Sequence, residues 1–254
     1  MDLFKEYAAD YDRWYETPLG SMVEKLEYDL FYKIAKPKAG EKALDAGCGT
    51  GRLALDLAGK GVSVTGIDTS EAMLAIARSK VQDQNKVQFL RGNMEAIPAA
   101  SETFTLVIAF TSLEFTGQPE AAVRELWRMV RPGGRLIVAA LNAWSPWAWW
   151  RSRKTGHSVF AKAHFFSPWE LLRLLARNTG ERCLVWNTAV FIPPGANSCI
   201  IKTAPVWEVA GRLFFKPLGA LIIVRVDKTR VQERLPELNL MSKLAPKPKG
   251  VTVD

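Results

Sequence analysis

From Ala43 to Leu141 the chain alternates short apolar runs with stretches of helical period, and that alternation constrains the fold more than any other feature. The runs KALDAG, VSVTGID, VQFLRGN, FTLVIAF and RLIVAAL read as strands. Between them, RLALDLAGKG, EAMLAIARSK and the segment from Pro119 to Val130, closed by RPGG, repeat apolar residues at helical spacing. Strands this apolar must be covered on both faces, and helical crossovers place consecutive strands parallel. The expected fold class is therefore α/β, a doubly wound, mostly parallel sheet.

The flanks add helices. Phe4, Ala8, Tyr11 and Trp14 or Tyr15 share one helical face. After a loop ETPLG, Ser21 and Glu24 form a capping-box pattern ahead of Val23, Leu26, Leu30 and Ile34, and Pro37 ends that helix. Beyond Leu141 lies an insertion, NAWSPWAWWRSRKTGH. A helix follows with Ser167 as N-cap, Pro168 at N1, Glu170 at N3 and Gly180 as terminator. CLVWNTAVF and ALIIVRV read as late strands, the segment between them carries helical hints, and LAPKPKG belongs to a basic tail.

A chain of 254 residues with 48% apolar and 24% charged side chains has a full core, which excludes disorder. No apolar run reaches the roughly 18 residues of a membrane span, and the start MDLFKEY lacks the pattern of a secretion signal. Cys48, Cys183 and Cys199 follow no metal or disulfide spacing, so no metal site and a reducing cytoplasm are expected. The net charge of +8 is uneven. Residues 1–142 carry 17 Lys and Arg against 19 Asp and Glu, whereas residues 143–254 carry 17 against 7. An anionic partner of the second half is one reading, and an ordinary solvated surface is the other.

The densest motif is Leu44-Asp45-Ala46-Gly47-Cys48-Gly49-Thr50-Gly51, a strand running into a glycine turn and a helix. Glycines there let a ligand approach backbone amides. Asp68, at the end of the next strand, stands where a carboxylate can accept from both hydroxyls of a ribose. The Gly-x-Gly-x-Gly spacing behind Asp45 differs from the pyrophosphate-binding Gly-x-Gly-x-x-Gly, and an acidic residue before the loop suits a cationic ligand.

With LDAGCGTG, GIDTSEAML, RGNMEAIP, FTLVIAFTSLEF and WRMVRPGGRLIV in order, the chain resembles the class I S-adenosylmethionine-dependent methyltransferases, in particular the quinone-biosynthesis group. The resemblance covers about Ala43 to Leu141 and implies a seven-stranded Rossmann-like methyltransferase fold with an antiparallel final hairpin. It implies one domain over residues 1–240: a helical cover at 1–36, a cofactor-binding core at 37–142 and acceptor-side insertions with late strands at 143–218, followed by a basic tail at 241–254. The implied cofactor is S-adenosyl-L-methionine, leaving as S-adenosyl-L-homocysteine. Gly47 and Gly49 would hold its methionine moiety, Asp45 its ammonium and Asp68 its ribose. Asn93 and Met94 would read adenine, with Thr69 and Met73 nearby, Thr111 near the methionine tail and Tyr11 covering the methyl donor. Three departures stand out: Asn93 replaces a usual Asp, Thr105 a common Asp, and Phe115 a frequent His.

Methyl transfer needs alignment, exclusion of water and, for some acceptors, a base. Glu114, after the fourth strand, and Tyr7 are the catalytic candidates; His157 and His164 flank the insertion. Glu114 also reads as a helix-capping or surface carboxylate, and the aromatic and methionine residues also read as packing. Trp144, Trp147, Trp149 and Trp150, followed by Arg151, Arg153 and Lys154, suit a greasy lid over a small hydrophobic acceptor or a membrane headgroup layer, as does FAKAHFF at 160–166. The expected location is cytoplasmic or membrane-peripheral. RNA methylation by the basic aromatic insertion and non-catalytic donor binding are the alternatives. Against nucleic acid, the chain has no Asn-Pro-Pro-Tyr-like segment, no Pro-Cys nucleophile and no RNA-binding module.

Overall fold

The computed structural model describes residues 8–83, 86–152 and 159–229. Tyr7, Arg153, Lys154, His157 and the tail at 241–254 lie outside the described residues.

Two helices, α1 (Ala8–Glu16) and α2 (Pro18–Ala35), precede the sheet. The expected start of α2 at Ser21 is corrected. Thr17 is the N-cap, its hydroxyl accepting from Gly20 N–H at 3.0 Å, with Pro18 pre-set at N1. Two capping patterns compete here, and Thr17 takes the role because Glu24 is drawn elsewhere, into a bidentate pair with Arg52 at 2.6 Å on both arms.

The alternating segment gives β1 (Lys42–Ala46), α3 (Arg52–Gly59), β2 (Ser63–Asp68), α4 (Glu71–Ser79), β3 (Val87–Arg91), β4 (Phe104–Phe110), α5 (Pro119–Met129) and β5 (Val130–Leu141). After it come α6 (Pro146–Ser152), α7 (Pro168–Thr179), β6 (Leu184–Ala189), α8 (Ser198–Lys202), α9 (Ala204–Phe214) and β7 (Leu221–Asp227). The seven strands lie in the order β3-β2-β1-β4-β5-β7-β6. All neighbours from β3 to β5 are parallel, while β7 runs antiparallel to both β5 and β6. This is the expected doubly wound, Rossmann-like sheet with its antiparallel final hairpin.

Alternation along the central strands splits the interior into two cores, one on each face. Ile137, Ala139 and Leu141 join Leu30 and Phe31 of α2 and Leu53 and Leu57 of α3. Leu136, Val138 and Ala140 face the other way, against Leu126 of α5 and Leu171 and Leu175 of α7. Each such side chain contributes roughly 1.5–3 kcal/mol by leaving water. Thr105, in place of the common Asp, donates to the Lys42 carbonyl at 2.9 Å and so ties β4 to β1. The Arg135 guanidinium fixes the end of α2, donating to the Ala35 carbonyl at 2.5 Å and to both oxygens of Glu41 at 2.8 Å.

α7 begins on the expected capping box, with Ser167 and Glu170 exchanging bonds at 3.3 Å, and ends on left-handed Gly180. Replacing Ser167 with alanine should lower unfolding free energy by about 1 kcal/mol, measured by denaturant melts of both proteins; an unchanged midpoint would contradict this assignment of the cap.

Candidate active site

The carboxyl ends of the parallel strands open on a cleft of about 710 Å3. This is where an open α/β sheet leaves a crevice between diverging crossovers. Tyr11, Asp45, Gly47, Gly49, Asp68, Thr69, Met73, Asn93, Met94 and Thr111 all line it, so ten residues chosen from the sequence converge on one surface.

β1 delivers Asp45 at its end, and the chain then turns through Gly47 and Gly49, both with positive φ (77° and 53°). A Cβ at Gly47 would stand 2.3 Å from that of Ser112, so nothing larger fits there. At Gly49 a Cβ would meet nothing within 4 Å; the bare backbone there borders open space that a ligand can enter. Asp68, at the end of β2, closes the turn: its Oδ2 accepts from Gly49 N–H at 2.8 Å and its Oδ1 from Ser70 N–H at 2.9 Å. Thr111, just past β4, is held left-handed at φ 46°, a conformation of the kind that persists where surrounding contacts impose it. Asn93 Oδ1 accepts from Glu95 N–H at 2.9 Å, which fixes the carboxamide.

The electrostatics single out Asp45 within the turn. Asp45 is 2% exposed, and its Oδ1 is buried without a hydrogen-bond partner among the described residues. Burial, reinforced by the neighbouring charge of Asp68, pushes its carboxyl up to about 7. A buried, unsatisfied carboxylate oxygen costs free energy until a donor reaches it.

The opposite wall comes from the helical cover. Asp12 of α1 accepts from the Thr50 hydroxyl at 2.8 Å, pairs with Lys80 just past α4 and lies 3.7 Å from Arg52, latching α1 over the glycine turn. Tyr11 and Tyr15 share a hydrogen bond of 3.3 Å beneath it. Glu27, projecting from α2, also lines the cleft. Burial pushes its carboxyl up to about 8, with Glu24 and Glu114 adding to the effect and Arg151 opposing it. Nothing in the sequence singled out Glu27; on α2 it reads as one more solvated acid of an amphipathic helix.

The other catalytic candidates stand apart. Glu114 does not line the cleft: it is 1% exposed and its Oε1 accepts from Leu141 N–H at 2.5 Å. Burial pushes it up to about 7, against the pull of that amide. It fastens the 3₁₀ turn after β4 to the end of β5. His164 pairs with Glu170 at 2.7 Å on the surface, and its backbone N–H donates to the Glu114 carbonyl.

The tryptophan run also divides. Trp147 is 4% exposed and donates from Nε1 to the Ile192 carbonyl at 2.8 Å, so it belongs to the core rather than to an outer surface. It and Trp150 border the cleft, where the Arg151 guanidinium lies 5.2 Å from the Trp147 ring and 4.8 Å from that of Phe160. Trp144 and Trp149 face outward, 47% and 58% exposed. The lining thus joins the glycine turn and its acids to a cluster of neighbouring aromatic rings, Phe115 beside Phe160 and Trp147 beside Trp150, with Arg151 between them. Among the described residues no cluster of His, Cys, Asp and Glu could hold a metal, and the three cysteines are free.

Residues 44–138 match the family model described as "Methyltransferase domain". That segment of the chain is similar to a methyltransferase domain. The match spans the turn, Asp68 and Asn93, and stops short of Tyr11, Glu27 and Arg151. Over 140 residues the chain is 30% identical to a demethylmenaquinone methyltransferase of Clavibacter sepedonicus, covering 55% of this chain and 57% of that protein. A ubiquinone biosynthesis O-methyltransferase of Pseudomonas putida is 37% identical over 106 residues, 41% of this chain and 46% of that one. The chain therefore spans about half the length of the curated relatives it matches. In three dimensions the likeness is longer: a SAM-dependent methyltransferase from Thermotoga maritima superposes with a TM-score of 0.67 at 26% identity, covering 89% of this chain and 99% of its own.

Proposed function

We propose that the cleft binds S-adenosylmethionine at its glycine turn and transfers the methyl group to a small apolar ring acceptor of the quinone-precursor class held against its aromatic cluster. The observation that carries this reading is the buried, unpartnered Oδ1 of Asp45 beside the open backbone of Gly49. An α-ammonium group supplies the missing donor, and the methionine moiety fits against the bare backbone at Gly49. The names of the two relatives support an acceptor of the quinone type, and the aromatic lining suits a flat apolar ring.

Each residue then has a stated task. Asp45 takes the ammonium. Asp68 takes the ribose hydroxyls through its carboxylate oxygens. Asn93 takes the adenine amino group through its carboxamide oxygen, while Met73, Met94 and Thr69 bound the base. Tyr11 closes over the sulfur side from α1. The bound donor supplies a methyl carbon already activated by its sulfonium. The protein needs to hold the acceptor in line and keep water out, which the latched α1 and the aromatic wall do. Glu27 receives the proton that an acceptor hydroxyl loses, in place of Glu114.

Binding of the donor should depend on pH through Asp45. With its carboxyl at about 7 in the empty cleft, the pairing form is scarce in acid, so affinity should fall up to about tenfold per unit below pH 7 and level off above it. Titration calorimetry across that range measures this, and a flat profile would contradict the ammonium assignment. The whole reading is tested by following S-adenosylhomocysteine formation with quinols, phenols, thiols and amines as acceptors. Turnover confined to apolar quinols and phenols is the expected result, and turnover of none of them would overturn it.

A further inference from the structure

α9 is built inside out. Its inward face consists of Ala204, Glu208 and Gly211, all buried. Its outward arc carries Val206 (69% exposed), Val209 (59%), Leu213 (72%), Phe214 (76%) and Trp207 (45%), and Phe215 (58%) and Leu218 (39%) continue it. At 100° per residue these helical positions form one unbroken apolar strip. Single exposed apolar residues are ordinary on a protein surface, but a continuous strip marks a face that something covers.

The charges around the strip indicate what covers it. Glu208 is the only acid between residues 190 and 220, and it is buried, with Oε1 accepting from Phe191 N–H at 2.8 Å and Oε2 facing Arg212 at 3.4 Å. Lys202 precedes the helix, Arg212 lies at the border of the strip and Lys216 follows it, its ammonium 3.9 Å from the Trp186 ring. On α2, Asp29, the acid whose field reaches Glu208, is paired with Lys25 at 2.6 Å. An apolar strip containing aromatic rings, rimmed by cations with no free acid in its own segment, complements an anionic bilayer surface. Residues 143–254, where it lies, carry the chain's cationic excess.

Its place in the fold agrees. The segment leading to α9 leaves the end of β6 at Ala189, which is level with Leu221 of β7 and Leu141 of β5, the edge on which the cleft opens. The bond from Trp147 to Ile192 joins that segment to α6, which presents Trp144 and Trp149.

We propose that α9 lies in the interfacial layer of an anionic membrane, with Val206, Val209, Leu213 and Phe214 in the acyl boundary and Lys202, Arg212 and Lys216 on the headgroups. This adds a helix that composition did not mark to the membrane contact expected of the tryptophan run, of which Trp144 and Trp149 are exposed. It stands independently of what the cleft binds.

The test is co-sedimentation of the full chain with vesicles of phosphatidylcholine mixed with phosphatidylglycerol, and of phosphatidylcholine alone. The chain should sediment with the mixed vesicles, less with the neutral ones, and be released by salt. Leu213→Ser with Phe214→Ser should weaken partitioning roughly tenfold or more. Lys202→Glu should weaken it only on the mixed vesicles. Both changes are on the surface, so melting temperatures should match the unaltered chain. The proposal fails if the chain stays in the supernatant with both vesicles, or if the double variant partitions undiminished. It fails equally if sedimentation velocity shows a dimer that the double variant dissolves, because a second copy would then cover the strip.

Discussion

Glu27→Gln should lower turnover by about a hundredfold or more while leaving S-adenosylhomocysteine affinity unchanged. The estimate is the contribution of a positioned base to methylation of an acceptor that must lose a proton. Its basis is placement: Glu27 faces the cleft from α2, whereas Glu114 is engaged with Leu141 N–H behind the wall. The pH profile supplies a separate readout. A base works in its ionised form, and burial sets the Glu27 carboxyl at about 8 in the empty cleft, so the rate should climb through that region and flatten above it. The variant should lack the climb. Equal turnover in the two proteins would show that the acceptor needs no base or finds it elsewhere.

Asp68→Ala should weaken donor binding by about 1–3 kcal/mol, roughly 5- to 150-fold. Two losses combine. The ribose loses its acceptor, and the Gly49 and Ser70 amides lose the carboxylate that sets the turn. Asp68→Asn separates them: the carboxamide oxygen still accepts, but its NH2 group cannot, so an intermediate loss is expected. Calorimetric titration of the three proteins measures the series, and an unaltered dissociation constant in the alanine variant would refute the role of this carboxylate.

The glycine turn of the cleft is readable in the sequence because it is built from backbone. A turn that must bring amides against a ligand demands glycine at fixed positions, and Gly47, whose missing Cβ is required by Ser112, leaves that demand in the sequence. Asp45 and Asp68 sit at strand ends, where period-two alternation gives way to turns, so their places follow from the strands. The rest of the cleft leaves no such trace. Glu27 acquires its environment only when α2 packs on the sheet and Arg151 comes within reach of its charge, and on its own helix it is spaced like any surface acid.

Composition misled in the tryptophan run for a related reason. Four indoles beside cations describe a lid, but a seven-residue helix cannot show which of them turns inward. The bond from Trp147 to the Ile192 carbonyl, 45 residues away, decides it. The start of α2 shows two local signals in competition, Thr17-Pro18 and Ser21 with Glu24. The outcome depends on Arg52, a residue of α3 that claims the Glu24 carboxylate. α9 runs against the usual rule: helical period placed a helix there, yet the rule that apolar faces turn inward points it the wrong way round.

The most direct test of the account is a crystal of the full chain soaked with S-adenosylhomocysteine. The account predicts the amino group on the buried oxygen of Asp45, both ribose hydroxyls on Asp68 and the homocysteine sulfur directed toward the aromatic cluster. A cleft that stays empty at saturating ligand, or a nucleoside bound with its ribose away from Asp68, would contradict it.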